Sequence, residues 1–272
     1  MATTTTVPVS KSSAQDDLLT VSAIALLAWM LASVSHEGVG HALMALLTGT
    51  PSGVVSTMAW SSPYETTRLV AAGGTLVNLT EALVFWVALR GAPKASPQAR
   101  LFLFAGCTFN LFTGSGYFFF SGVSNFGDWA QVVAGLHPHW MWMVLLTVTG
   151  ALAYYFSMRA MGGALVRYIG IPPEERPRMK QLTWNLYFSV LVLSVSAGMM
   201  NPLGIEVVLE SAVAASAGGN AGLLWLRYYV PKGTAAERSG DGIARSYAWI
   251  AAAVVILLPY IFVLGRGITL RR

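Results

Sequence analysis

Three residues suited to hydrolytic metal chemistry stand together in an otherwise apolar run. They are His36, Glu37 and His41, within Ser35-His36-Glu37-Gly38-Val39-Gly40-His41-Ala42-Leu43. Two neutral imidazoles can bind zinc, and a neighbouring carboxylate can take a proton from a metal-bound water. Ionisable groups inside an apolar helix are costly and mark functional sites. The bland alternative is that both histidines merely hydrogen-bond to neighbouring helices. The spacing imposes a geometric condition. Residues four apart differ by about 40° around an α-helix, whereas residues five apart differ by about 140°. His36 and His41 are five apart, so a regular helix would aim them at different faces. A π-bulge or a glycine kink at Gly38–Gly40 would bring them back together. Glu37 and His41, four apart, form the alternative pair, in which Glu37 would be a ligand rather than a base.

Other polar residues compete for attention. Glu81 lies in a second apolar run, three residues after Asn78 and on the same helix face. It reads as a proton relay, as a partner of a metal-bound histidine, or as a structural group bonded to another helix, the last slightly favoured. His137-Pro138-His139 precedes Trp140 and Trp142 and reads as an interfacial belt. The chain has only four histidines, too few for an eight-histidine di-iron centre.

The elements that must position these residues are membrane helices. Of 272 residues, 55% are hydrophobic and 11% are charged, against roughly 25% charged in a soluble domain. Such a chain cannot coat a soluble globule. Its hydrophobicity excludes a disordered protein, and its single cysteine, Cys107, excludes an internal disulfide framework. The fold class expected is all-α: a polytopic integral membrane helix bundle of about six to seven transmembrane helices. A span needs about 20 mostly apolar residues. The candidates are Leu18 to Leu47, Leu69 to Leu89, Leu101 to Phe120, Trp140 to Met161, Leu182 to Met200, Ile205 to Leu226 and Tyr247 to Leu264. Glu206 and Glu210 would make the sixth a re-entrant or interfacial helix instead. Residues 1–16 read as a flexible tail and 17–272 as one membrane-embedded domain. A cleaved signal peptide is disfavoured, because the only basic residue ahead of the first span, Lys11, is offset by Asp16 and Asp17.

The net charge of +5 is small and sits mostly in loops, which speaks for membrane orientation and against nucleic-acid binding. With seven spans, 13 of the 17 Lys and Arg residues fall on the side of the N-terminus. That places the N-terminus in the cytoplasm of a plasma (inner) membrane, and the His36–His41 end of the first span on the opposite side. Arg266, Arg271 and Arg272 run against the rule.

The run His36-Glu37 followed by Gly40-His41-Ala42-Leu43 resembles the H-E-x-G-H-A-L signature of intramembrane zinc metalloproteases of the site-2 protease type. Ala72-Gly73-Gly74-Thr75-Leu76-Val77-Asn78-Leu79 is similar to that family's G-P-x-x-N helix, with Gly in place of Pro. Asn110-Leu111-Phe112 and Gly127-Asp128-Trp129 resemble, in order, its N-L-L-P and L-D-G segments. The resemblance covers about residues 20–135. It implies a zinc ion held by His36, His41 and Asp128, Glu37 as the catalytic base, and membrane proteins as substrates. The spacing departs from the family: three residues rather than two separate Glu37 from His41, and Asn110 and Asp128 are eighteen apart. Asp128 also reads as a helix N-cap. A different class of function is a non-catalytic subunit of a membrane complex that keeps the metalloprotease-like scaffold.

Overall fold

The computed structural model of the protein describes residues 15–92, 94–202, 213, 217–236 and 240–272. It is mostly helical, with seven helices among the described residues. Helix α1, Leu18–Leu47, starts where the Asp17 carboxylate accepts from the Thr20 amide (2.9 Å) and hydroxyl (2.7 Å). These bonds hold the Asp17 carboxyl below the usual carboxylate range. Helix α2, Arg68–Gly91, is capped by Thr67, and α3, Pro97–Ser124, by Ser96, with Pro97 in the first turn, where no amide is needed. Helix α3 ends on Asn125, whose φ of 53° is left-handed. A short helix, α4, Asp128–Val133, follows, then α5, His139–Ile169, α6, Arg176–Gly198, and α7, Tyr247–Leu264.

Four of these, α1, α2, α5 and α7, are long and apolar enough to cross a membrane. The 28 residues of α3 and 23 of α6 give sufficient length, but both carry more polar residues. Half of the expected sixth span falls outside the described residues, Glu206 and Glu210 included. Its described end is wound into 3₁₀ turns at Ala221–Leu224 and Leu226–Tyr228 rather than a long helix. The first 14 residues of the expected tail also lie outside the described residues. Asp16, the tail's last residue, is tied down: its carboxylate receives two bonds from the Arg178 guanidinium, at 2.9 and 3.0 Å.

Hydrogen bonds define two ends of the bundle. At one, Arg178 joins Asp16 to the Gly240 and Asp241 carbonyls, and Arg100 reaches the Tyr168 carbonyl. At the other, Ser33 donates to the Thr57 carbonyl, Tyr260 to Ser33, and Asn201 to Ser56. Helices α1, α3, α6 and α7 therefore run one way, and α2 and α5 return. The second end carries a small antiparallel sheet: β1, Ser52–Val55, between β2, Trp60–Ser61, and β3, Ile268–Arg271. Val54 sits opposite both Ser61 and Thr269. The sheet adds to the expected all-helical bundle and fastens the C-terminus beside the loop after α1.

Helix α3 occupies the centre, packed on α1, α2, α4 and α5. Its Phe104, Phe109 and Phe112 are fully buried, together with Ile24, Leu165 and Leu182. Apolar side chains also cover the outside, for example Leu83, Val84 and Val87 on α2 and Val144, Val148 and Leu152 on α5. In lipid such exposure costs nothing, and helix association rests on close packing through small residues. Gly40 of α1 lies against Gly73 and Gly74 of α2, backbone to backbone, and a Cβ on any of the three would overlap its neighbours.

Candidate metal centre

The distortion required by the five-residue spacing is present. Between Ser35 and Leu43 the first helix widens into a π-helical segment. Its wider turn brings residues five apart onto one face, and the Nε2 atoms of His36 and His41 come within 3.2 Å. The close seat of Gly40 on α2 gives this face a direct approach to the second helix. The alternative pair of Glu37 and His41 is not the one drawn together here.

The tautomers follow from what lies behind the rings. His41 Nδ1 is 2.8 Å from the Val70 carbonyl, which can only accept, so Nδ1 carries the hydrogen. Behind His36 stands a chain of amides. The Asn110 amide nitrogen donates to the Gly106 carbonyl (2.9 Å), leaving its oxygen to accept from Asn78 Nδ2 (2.6 Å). The Asn78 oxygen is then turned to His36 Nδ1 at 2.5 Å, so this nitrogen too must donate. Both neutral imidazoles consequently direct bare Nε2 lone pairs at the same point.

Asp128 completes the arrangement. It does not cap α4: Gly127 holds the cap position and no side chain caps this helix. Its Oδ2 lies 3.5 Å from His36 Nε2 and 3.4 Å from His41 Nε2, is buried, and has no hydrogen-bond partner among the described residues. With both rings neutral, three lone-pair donors converge, an arrangement that repels itself unless a proton or a metal cation sits there. The spacings are those of a small four-coordinate divalent cation, of which zinc is one example. Tetrahedral zinc with bonds of about 2.0–2.1 Å has ligand-to-ligand edges of about 3.3–3.4 Å. The observed edges are 3.2, 3.4 and 3.5 Å. His36, His41 and Asp128 form the one group of this kind among the described residues.

Glu37 stands beside the triangle rather than in it. Its Oε1 is 3.9 Å from His36 Nε2, its carboxylate accepts from the Trp60 amide of β2, and Oε2 has no partner among the described residues. A polar cavity of about 340 Å³ opens on this side, bounded by Glu37, His41, Asp128, Trp60, Tyr64 and Tyr117. The Tyr117 ring stacks on His36, with centroids 5.1 Å apart and planes 24° apart.

The remaining candidates sort differently. Asn78 and Asn110 both serve His36. Glu81 faces Ser35 and Asn110, behind that amide chain and away from the cavity. His139 bonds to Asn125 at 3.0 Å on the surface, and neither it nor His137 joins the cluster. The Val70 carbonyl and Tyr117 went unforeseen. A carbonyl has no residue signature, and Tyr117 was one aromatic among many, although its place seven residues after Asn110 on one helix was a usable signal. No family model, no curated protein and no solved structure matches this chain.

Proposed function

We propose that the protein is a membrane-embedded zinc metallopeptidase, similar to intramembrane proteases of the site-2 protease type, that cleaves peptide bonds of membrane-protein substrates. One observation carries this reading: three lone pairs from His36, His41 and Asp128 converge at tetrahedral-edge spacing beside the Glu37 carboxylate, one oxygen of which has no partner among the described residues, and a polar cavity. In this reading all six long helices cross the bilayer. The end holding Arg90, Lys94, Arg100 and Arg178 faces the cytoplasm, so the site opens toward the other side.

Zinc bound there would lower the pKa of a water to about 7 and polarise the substrate carbonyl. The chain's own groups do the rest. Val70 and Asn78 fix the ring orientation of the two histidines. Asp128 adds the negative charge that favours a divalent cation. Glu37, held by the Trp60 amide, accepts the proton of the attacking water and returns it to the leaving nitrogen. Tyr117 walls the cavity and keeps bulk water from His36.

Glu37→Gln tests the assignment of roles. The amide keeps the shape but cannot accept the proton. Zinc content should stay at the wild-type level, while cleavage of single-span model substrates in liposomes falls about 10²–10⁴-fold. Loss of the metal would make Glu37 a ligand. Full activity of the variant would remove it from the mechanism. Zinc-loaded wild type that cuts no substrate, yet purifies stoichiometrically with a larger complex, would favour the non-catalytic subunit.

A further inference from the structure

A second cavity, of about 700 Å³, lies next to the metal centre and is almost wholly apolar. It is a cleft bordered by Phe119 and Val123 of α3, Ala151 and Met158 of α5, and Trp225 and Tyr229 beyond, and it is open on the outer surface, where Phe119, Val123 and Trp225 are exposed. It shares two wall residues, Tyr117 and Phe120, with the polar cavity. Tyr117 also borders the small cleft between His36 and Asn78. One face of its ring stacks on His36, and its hydroxyl makes no hydrogen bond to the described residues. Tyr117 is thus a partition: metal centre on one side, apolar chamber on the other.

The two spaces differ in what they can hold. Ser61, Ser62 and Thr66 give the polar one hydroxyls suited to a peptide backbone. The apolar one is within the roughly 300–1,000 Å³ of pockets that enclose ligands the size of several side chains. From this adjacency across Tyr117 and Phe120, the geometry points to the apolar chamber as the specificity pocket of the proposed peptidase. It receives two or three large apolar side chains of the substrate segment whose scissile bond lies over Glu37, His41 and Asp128. The assignment rests on the metallopeptidase reading and narrows it: a substrate with small or charged residues next to the cut should be poor.

Straight-chain hydroxamates separate this inference from the reading beneath it. The head group binds the metal, and the tail reports the chamber. Zinc-loaded protein in nanodiscs is titrated calorimetrically with the series from acetohydroxamate to decanohydroxamate. Wild type should bind acetohydroxamate, with affinity rising about fourfold for each methylene that enters the chamber. Two filling variants serve as comparison. In Gly116→Leu a Cβ meets nothing closer than 3.5 Å, so the helix accepts it. Ala151→Trp fills the chamber from α5. Both should bind acetohydroxamate like wild type and show a flattened series. A flat series in wild type, or one equally steep in both variants, overturns the specificity pocket and leaves the metal centre standing. A lipid that co-purifies one to one with wild type, is lost from Gly116→Leu and blocks long tails assigns the chamber to a structural lipid and also overturns it. No binding of acetohydroxamate by metal-treated wild type removes the metal reading and this one with it.

Discussion

Asn78→Ala is the most informative single change behind the metal centre. Asn78 is 1% exposed and its partner Asn110 is fully buried. The substitution strips two groups at once. His36 Nδ1 loses the acceptor at 2.5 Å, and Asn110 Oδ1 loses the donor at 2.6 Å. Each orphaned buried group costs about 1–3 kcal/mol. The first loss falls on the metal, because His36 is then free to turn or change tautomer. Removing such a partner typically weakens metal binding about 10–100-fold, which is about 1.4–2.7 kcal/mol. The second loss falls on the fold. Asn110→Ala separates the two effects: Asn78 can still accept from His36, so zinc affinity should fall less while thermal stability falls by a similar amount. In Asn78→Asp the acceptor for His36 remains, but a carboxylate oxygen faces Asn110 Oδ1. Asn110 cannot turn without losing Gly106, so this variant should keep its zinc and melt lower. The assay is competition for zinc against a chromophoric chelator, with melting curves taken in parallel. Wild-type zinc affinity in a folded Asn78→Ala protein would refute the orienting role of the amide chain.

Further expectations follow from close approaches and from the far end of the bundle. In Gly74→Ala the new methyl would lie 2.5 Å from His36 Nε2 and His41 Nε2, so metal binding should be abolished. Gly38→Ala, with nothing within 4 Å of the added carbon, should bind zinc as wild type does. Equal zinc affinity in the two variants would contradict the packing of α2 on the π-helical segment. Arg178→Ala takes the guanidinium from the buried Asp16 carboxylate, which keeps only the Ile243 amide, and the donor from two carbonyls. It should cost about 3 kcal/mol of stability, visible as a lower Tm at unchanged zinc content; an unaltered Tm would show that the clasp contributes nothing.

The site was more legible in the sequence than the fold that surrounds it. Two histidines and a glutamate in an apolar run are conspicuous, and the mismatch between a five-residue spacing and the α-helical period pointed to a π-bulge or a glycine kink wherever His36 and His41 share a face. Asp128 could be named from the order of the segments, but only the structure removes the cap reading, with Gly127 in that position, and sets its carboxylate beside both histidines. Apolar length found α1 and α7 to the residue. The sheet left no such trace. Its strands have four, two and four residues, and β3 pairs with β1 from more than two hundred residues away. A pairing so short and so remote has no periodicity to read. It also explains why Arg271, which runs against the charge rule, lies beside Ser52. Val70 was invisible for another reason: it acts through its carbonyl, which every residue has.

The central claim is that His36, His41 and Asp128 hold a zinc ion. Elemental analysis of purified wild type beside the His36→Ala/His41→Ala double variant tests it most directly. One zinc per wild-type chain and almost none in a folded double variant is the expected result. Equal, near-zero zinc in both after metal reconstitution would mean that a proton, not a metal, occupies the convergence of lone pairs, and the hydrolytic reading would fall.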